Sequence, residues 1–110
     1  ENIDALVAED NTINQKLIQS VLQGLGVNVT LANDGLEAIV LRKEKVYDII
    51  FMDIQMPVMG GIEATEKMLE LENDMDQPHI PIIALTANAL KGDREKYLNA
   101  GMDNYHSKPL

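Results

Sequence analysis

Four apolar segments of this sequence end in polar side chains of the kind that carry out chemistry. The first segment ends in Glu9 and Asp10, and the segment DIIFMD ends in Asp53. Two later segments end at Thr86 and at Lys108, which a proline follows. If the segments are parallel strands, their carboxyl ends meet at one edge of a sheet, where such sheets bind ligands. The sequence therefore predicts carboxylates, a hydroxyl and an ammonium group at one site.

These groups together suit a divalent cation and phosphoryl transfer. Two carboxylates about 4 Å apart repel by roughly 4 kcal/mol at an effective dielectric of 20. A bound Mg²⁺, which prefers oxygen ligands, removes that repulsion. Asp53 would attack phosphorus as the nucleophile, while Lys108 and Thr86 bind the other phosphoryl oxygens. The predicted product is an acyl phosphate on Asp53.

The order of apolar and amphipathic segments predicts an α/β fold. Short apolar runs alternate with segments of helical period, which is typical of repeated βα units and a parallel sheet. We expect a flavodoxin-like, doubly wound sheet of five parallel strands in the order 2-1-3-4-5, because that order places the first and third strands side by side. Glu9 and Asp10 would then lie next to Asp53. The predicted strands are 3–8, 27–31, 48–52, 80–85 and 104–107.

The predicted helices lie between these strands. The second begins near Leu36 with Asn33 and Asp34 as candidate caps, the third spans 62–72, and the fourth spans 88–99. The first helix has an apolar face that we expect to be core, with polar residues opposite. The apolar face consists of Ile13, Leu17, Ile18, Val21, Leu22 and Leu25, and the polar face of Gln15, Lys16, Gln19 and Gln23.

Three further expectations concern the ends of these elements. Gly26 is placed to end the first helix in a left-handed conformation. The start of that helix, beside Asn11 and Asn14, is a natural docking place for a histidine-bearing helix. The segment NDMDQPH reads as a solvated loop, and we assign no function to His79 or His106.

Size and composition set limits on partners and location. The 110 residues suffice for one domain with its own core, and the absence of cysteine excludes disulfides and thiolate metal sites. The formal net charge of -9 argues against direct nucleic-acid binding, which depends on lysine and arginine. No apolar run approaches the ~20 residues needed to span a bilayer, so we expect no membrane contact. Because the chain opens on Glu1, we expect it to derive from a longer protein.

Four motifs at predicted strand ends resemble the receiver domain of two-component response regulators. They are AEDN at 8–11, MDIQMP at 52–57, ALTANA at 84–89 and SKP at 107–109. The resemblance covers the whole chain, 1–110, and the segments EDNTINQK and MDIQMPVMGGIEAT are most similar to receivers of hybrid sensor histidine kinases. It implies that the domain accepts a phosphoryl group from a phosphohistidine and switches conformation in a phosphorelay. Its own catalysis would be limited to its phosphorylation and dephosphorylation.

The resemblance also implies roles for single residues and for partners. The partner would be a histidine kinase domain or a histidine phosphotransfer domain. The domain would be cytoplasmic, and its parent either a hybrid kinase, compatible with an anchor in the inner membrane, or a stand-alone regulator. The Lys108–Pro109 bond would be cis. The implied Mg²⁺ ligands are Asp10, Asp53, Gln55 through its backbone carbonyl and Glu9 through water, and the implied switch residues are Thr86 and Tyr105.

Three features depart from the family pattern. Glu9 stands where the family more often has Asp, and Gly60 replaces a frequent Asp that caps the following helix. The family's fifth helix has no counterpart after Leu110. We therefore expect a chain truncated before that helix, with an uncovered sheet face through which two copies could form a homodimer.

Alternative functions remain open at this point. One is a Mg²⁺-dependent hydrolase that forms an aspartyl phosphate, although Gln55 stands where such phosphatases carry a general acid. A second is a flavin carrier, disfavoured by the acidic residues after the first strand. A third is a binding module that is never phosphorylated.

Overall fold

The computed structural model describes residues 3–86 and 91–107, in which parallel strands alternate with helices. Predicted and observed strands agree within two residues at each end. Lys108 and Pro109, with residues 87–90 at the predicted start of the fourth helix, lie outside the described residues. The elements are β1 (Ile3–Ala8), α1 (Thr12–Gly24), β2 (Val27–Ala32), α2 (Gly35–Glu44), β3 (Ile49–Asp53), α3 (Gly61–Asp74), β4 (Ile82–Thr86), α4 (Lys91–Asn99) and β5 (Asn104–Ser107).

The sheet has the predicted strand order, β2-β1-β3-β4-β5, with every neighbouring pair parallel. β1 pairs with β3 up to Ala8, which lies opposite Met52. The residues after Ala8 therefore emerge beside Asp53, the last residue of β3. Asp53 in turn pairs with Leu85, one residue before the end of β4. This register confirms the flavodoxin-like fold and brings the predicted strand ends to one edge.

Alternate residues of the strands form a separate core on each face of the sheet. On one face, Leu6 and Ala8 of β1 pack in a cluster with residues of α2, α3 and α4. On the other face, Ala5 and Val7 pack with Ile18 and Leu22 of α1. This alternation follows from the two-residue period of a strand. β1 is thus buried on both faces from Ala5 to Ala8, whereas Ile49 and Phe51 of β3 and Ile83 of β4, on the α1 face, are only half-buried.

Local capping explains where the first two helices begin and where the first one ends. The Asn11 side chain accepts hydrogen bonds from the backbone N–H groups of Ile13 and Asn14 at the start of α1. Asp34 accepts one from Glu37 at the start of α2, as predicted. Gly26 has a φ of 84° just after α1, a conformation that glycine adopts without steric cost. The predicted glycine stop of α1 is confirmed.

The predicted core face of α1 is wrong for four of its six residues. Only Ile18 and Leu22 are buried, whereas Ile13 and Leu25 are 71% and 75% exposed. The apolar stripe is wider than the contact between one helix and the sheet, so half of its width faces outward. Gln15, predicted on the polar face, is buried instead. The exposed part, which we call the α1 stripe, consists of Ile13, Leu17, Val21 and Leu25.

The predicted solvated loop before β4 is also only partly correct. Its first two residues, Asn73 and Asp74, belong to α3. Its last residue, His79, makes hydrogen bonds to Glu72 and to Asp103. The segment is therefore attached to the amino-terminal edge of the sheet.

Candidate functional site

Three carboxylates meet at the carboxyl edge of the sheet. One oxygen each of Glu9, Asp10 and Asp53 lies within 4.8 Å of the other two. Glu9 and Asp53 are buried, whereas Asp10 is exposed to solvent. The convergence predicted from the strand order is confirmed.

This cluster has the composition and spacing of a cation site. Magnesium binds oxygen at about 2.0–2.1 Å, so opposite ligands of one ion lie about 4 Å apart. The three carboxylate oxygens therefore need shifts of less than about 1 Å to contact one ion. Asp10 is exposed, so water can reach the cluster from that side. The described residues thus fit Mg²⁺.

Glu9 is held in place by the turn between β1 and α1. Its backbone N–H donates to the carbonyl of Ala32 at 2.9 Å, which extends the β1–β2 pairing by one residue. Its carboxylate accepts a hydrogen bond from the backbone N–H of Asn11 at 3.1 Å. The buried Gln15 amide donates to the Glu9 carbonyl and to the Asn33 side chain. These contacts hold the longer Glu side chain inside the cluster.

Sequence reasoning missed Gln15 because periodicity assigned it to the outer face of α1. A signal was present, since Gln15 lies one turn after the capping Asn11 and shares a helix face with Ile18. Its role is positional: the side chain ties α1 to the turns that follow β1 and β2.

The start of α3 lies directly against the backbone of Asp53. The Gly61 N–H donates to the carbonyl of Ile54 at 3.0 Å. A Cβ atom at Gly61 would collide with the carbonyl of Asp53. Gly60, the N-cap residue, makes no side-chain cap hydrogen bond, as expected from the missing Asp. Close approach of α3 to the site thus depends on glycine at position 61.

The loop between β3 and α3 contains a strained residue. Val58 has a φ of 66°, in a region that β-branched residues rarely occupy. The Met59 N–H donates to the carbonyl of Pro57 at 2.6 Å, which makes a three-residue turn of the rare, strained form. Gln55, in the same loop, has an exposed side chain. Strain of this kind often occurs beside functional sites.

Thr86 ends β4 on the strand next to Asp53. Its hydroxyl is 3.1 Å from the hydroxyl of Tyr97 in α4, and both side chains are buried. Tyr105 in β5 is partly buried, and its ring centre is 5.9 Å from the Arg94 guanidinium of α4. The switch roles of Thr86 and Tyr105 stay predictions. Sequence reasoning did not single out Tyr97, because a tyrosine in a polar helix carries no signal of its own. Lys108, the predicted ammonium group, lies outside the described residues.

A second polar cluster lies at the opposite edge of the sheet. His79 contacts Glu72 at 2.8 Å through Nδ1 and Asp103 at 2.9 Å through Nε2. The hydrogen bond to Glu72 raises the pKa of His79, and Asp103 adds to this effect, against burial, which lowers it. The same two carboxylates accept hydrogen bonds from the backbone of Ile80 and Ile82. This cluster orders the entry into β4 and is remote from the acidic site.

Comparison with known proteins assigns the chain to a family. A family model described as the response regulator receiver domain matches residues 5–110. The chain belongs to the response regulator receiver family. A hybrid signal transduction histidine kinase I of Dictyostelium discoideum is 50% identical over 110 residues, 96% of this chain but 6% of that kinase. The polar-differentiation response regulator DivK of Brucella ovis is 40% identical over 105 residues, 96% of this chain and 83% of DivK.

Solved receiver structures share the fold. The receiver domain of Ssk1 from Saccharomyces cerevisiae, crystallised with the histidine phosphotransfer protein Ypd1, has a TM-score of 0.93 and 36% identity, covering 99% of this chain and 80% of that one. The receiver of the sensor kinase PA1611 from Pseudomonas aeruginosa has a TM-score of 0.88 and 44% identity, covering 100% of this chain and 88% of that one. It was crystallised with magnesium in its active-site cleft.

The chain is therefore a receiver domain of two-component signalling, and the carboxyl edge of its sheet carries an acidic cluster that could hold a metal ion. The chain spans only 6% of the Dictyostelium kinase. None of the helices described, of which α3 with 14 residues is the longest, could span a bilayer.

Proposed function

We propose that this receiver domain accepts a phosphoryl group from a phosphohistidine on Asp53, in a Mg²⁺-dependent reaction within a phosphorelay. The observation that carries the proposal is the cluster of Glu9, Asp10 and Asp53 at the carboxyl edge of the sheet. Three carboxylates this close repel one another. A bound cation would offset this repulsion and leave Asp53 beside a site for a phosphoryl group.

Four groups of the chain would hold the cation. Asp10, Asp53 and the backbone carbonyl of Gln55 would bind Mg²⁺ directly, and Glu9 would act through water. When bound, Mg²⁺ would supply positive charge that stabilises the phosphoryl oxygens. Glu9 keeps its orientation through its hydrogen bond from Asn11.

Asp53 would be the nucleophile. One of its carboxylate oxygens forms a bond to phosphorus while the bond from phosphorus to the imidazole nitrogen breaks, and the nitrogen keeps the electron pair. The start of α3 limits how Asp53 can move, because Gly61 packs against its carbonyl. Lys108 and Thr86 would bind the remaining phosphoryl oxygens. The product is an aspartyl phosphate.

The new contacts could drive a conformational switch. Hydrogen bonds to charged groups contribute about 1.5–3 kcal/mol each, so contacts from Thr86 and Lys108 would supply about 3–6 kcal/mol. Reversal of a two-state equilibrium from 1:99 to 99:1 needs about 5.5 kcal/mol. We propose that Thr86 moves toward the phosphoryl group and that Tyr105 turns inward. The surface of α4 and β5 would change as a result.

The donor would be a histidine phosphotransfer domain or a histidine kinase domain that docks on the α1 stripe. The stripe begins at Ile13, three residues after Asp10, and continues along the helix at every fourth residue. Apolar residues at this spacing suit packing against another helix. The similar Ssk1 receiver was crystallised with such a phosphotransfer protein.

The context of the domain is a further part of the proposal. We propose a cytoplasmic domain of a hybrid kinase, on the likeness to the Dictyostelium kinase. Homodimerisation and the absence of nucleic-acid binding stay predictions. The molar mass in solution at increasing protein concentration would test homodimerisation. A binding measurement with labelled duplex DNA would test the absence of nucleic-acid binding.

Phosphorylation by a small acyl phosphate tests the function without a partner. The chain is incubated with acetyl phosphate, with and without Mg²⁺, and its intact mass is followed. We expect one added phosphoryl group in the wild type with Mg²⁺. We expect none in Asp53→Asn, a slower reaction in Asp10→Asn, and wild-type behaviour in the control Asp74→Asn, which alters an exposed carboxylate at the end of α3. Equal phosphorylation of the wild type and Asp53→Asn would refute the assignment.

A further inference from the structure

Tyr97 connects α4 to the end of β4. Its hydroxyl is 3.1 Å from Oγ1 of Thr86, and both side chains are buried. Arg94, three residues earlier on the same helix, lies over the ring of Tyr105. Residues three apart share a helix face. One face of α4 therefore contacts both proposed switch residues.

The sheet topology places β3, which ends at Asp53, and β5 on opposite sides of β4, which ends at Thr86. β4 pairs with β3 on one side, where Asp53 lies, and with β5 on the other. α4 packs against β5. A shift of the Thr86 hydroxyl toward a phosphoryl group on Asp53, and so toward β3, would move it away from the strand against which α4 packs. Such a shift would strain or break its 3.1 Å contact with the Tyr97 hydroxyl.

We propose that Tyr97 is a positioning residue that holds the Thr86 hydroxyl in its resting arrangement until phosphorylation breaks their hydrogen bond. The inference rests on the proposed function, in which Asp53 carries the phosphoryl group. A buried hydroxyl that loses its partner is unfavourable. The break therefore drives Tyr97, and α4 with it, toward a new arrangement. Tyr97 would link the site to the α4 surface independently of Tyr105.

The variant Tyr97→Phe isolates this link, because it removes the hydroxyl and keeps the ring in the core. The probe is beryllium trifluoride with Mg²⁺, an analogue of the phosphoryl group. We expect the Kd of the probe to fall roughly 2- to 10-fold, the usual effect of one neutral hydrogen bond. Tyr47→Phe is the matched control, because Tyr47 is equally buried but lies before β3, at the opposite edge of the sheet. Its Kd should equal that of the wild type.

Two readouts separate a positioning role from a general packing role. In a Thr86→Ala background, Tyr97→Phe should no longer change the Kd of the probe, because the Tyr97 hydroxyl then has no Thr86 hydroxyl as its partner. The three tyrosines can also be followed by the NMR signal of their labelled ζ carbons. The Tyr97 signal should shift on addition of the probe, and Thr86→Ala without probe should shift it in the same direction.

The outcomes are distinguishable. Equal or weaker probe binding by Tyr97→Phe, with normal binding by the wild type, would overturn the inference alone. An effect that persists in the Thr86→Ala background would also overturn it. Failure of the wild type to bind the probe at all would overturn the proposed function, and this inference with it.

Discussion

Nδ1 of His79 lies 2.8 Å from Oε1 of Glu72, and this pair joins the end of α3 to the entry of β4. The other ring nitrogen contacts Asp103. A neutral imidazole has one N–H donor, so only the imidazolium can donate to both carboxylates. The charged form is accordingly favoured in the folded protein, and the pKa of His79 is raised above its ordinary value of 6.5.

Stability should therefore depend on pH through His79. The stabilisation is fully present below pH 6.5, the pKa of the unfolded chain, and is lost as the pH rises through the raised folded pKa. Arg42, 3.8 Å from Glu72, adds a positive charge to this cluster. We expect His79→Gln to lower the free energy of unfolding more at pH 6 than at pH 8.5, as measured by urea unfolding. His106→Gln is the control, because His106 is exposed. If His79→Gln lowered the free energy of unfolding by the same amount at both pH values, the account would be contradicted.

Relief of backbone strain at Val58 should stabilise the protein. Glycine adopts a positive φ without steric cost, and strain of this kind costs about 1–3 kcal/mol. After the entropic cost of glycine, about 0.5–1 kcal/mol, we expect Val58→Gly to raise the free energy of unfolding by roughly 1 kcal/mol. Val46→Gly is the matched control, since Val46 is 66% exposed against 76% for Val58 but has a negative φ. We expect Val46→Gly to lower the free energy of unfolding. If the two variants changed it in the same direction, the strain at Val58 would be contradicted.

Gly61 should be indispensable for the geometry around Asp53. A Cβ at this position meets the Asp53 carbonyl, and overpacking of this type costs about 1–3 kcal/mol. We expect Gly61→Ala to lower the free energy of unfolding by that amount and to slow phosphorylation by acetyl phosphate. Gly24→Ala is the control, because a Cβ there meets no atom within 4 Å. It should leave stability unchanged or raise it by up to about 1 kcal/mol, and equal behaviour of the two variants would refute the close contact.

Leu17 should contribute to partner docking but not to chemistry. It is 47% exposed on the α1 stripe, and its matched control, Leu36 of α2, is 48% exposed. We expect Leu17→Ala to slow phosphotransfer from a phosphorylated histidine phosphotransfer domain at least about fivefold, as truncation of an interface anchor does. Leu36→Ala should accept the phosphoryl group from the same donor at the wild-type rate. Both variants should react normally with acetyl phosphate, and a slow reaction of Leu17→Ala with that donor would place the defect in the site instead.

The strands and the carboxylate cluster were predictable because their signals are local. A buried run such as IIFM followed by an acid reads directly as a strand end, and the parallel order of the strands brings those ends together. These two signals were enough to predict that Asp53, Glu9 and Asp10 lie together. The capping of α1 and α2 and the glycine after α1 are equally local.

The missed features depend on which surfaces meet in the folded chain. The apolar stripe of α1 is wide enough for two orientations, and only contact with the sheet selects Ile18 and Leu22 for the core. Gln15 and Tyr97 are buried because β1, β2 and β4 present hydrogen-bonding partners to them. His79 is ordered by Glu72 and Asp103 from two other segments. The periodicity of the sequence does not predict such contacts between distant segments.

The most direct test locates the phosphoryl group on the chain. The protein is phosphorylated with acetyl phosphate and Mg²⁺, reduced with borohydride, which converts an aspartyl phosphate to homoserine, and sequenced by mass spectrometry of its peptides. The account predicts homoserine at position 53 and unchanged aspartate at position 10. Conversion at another carboxylate, or none in protein that gained a phosphoryl group, would contradict the central claim that Asp53 is the phosphoacceptor.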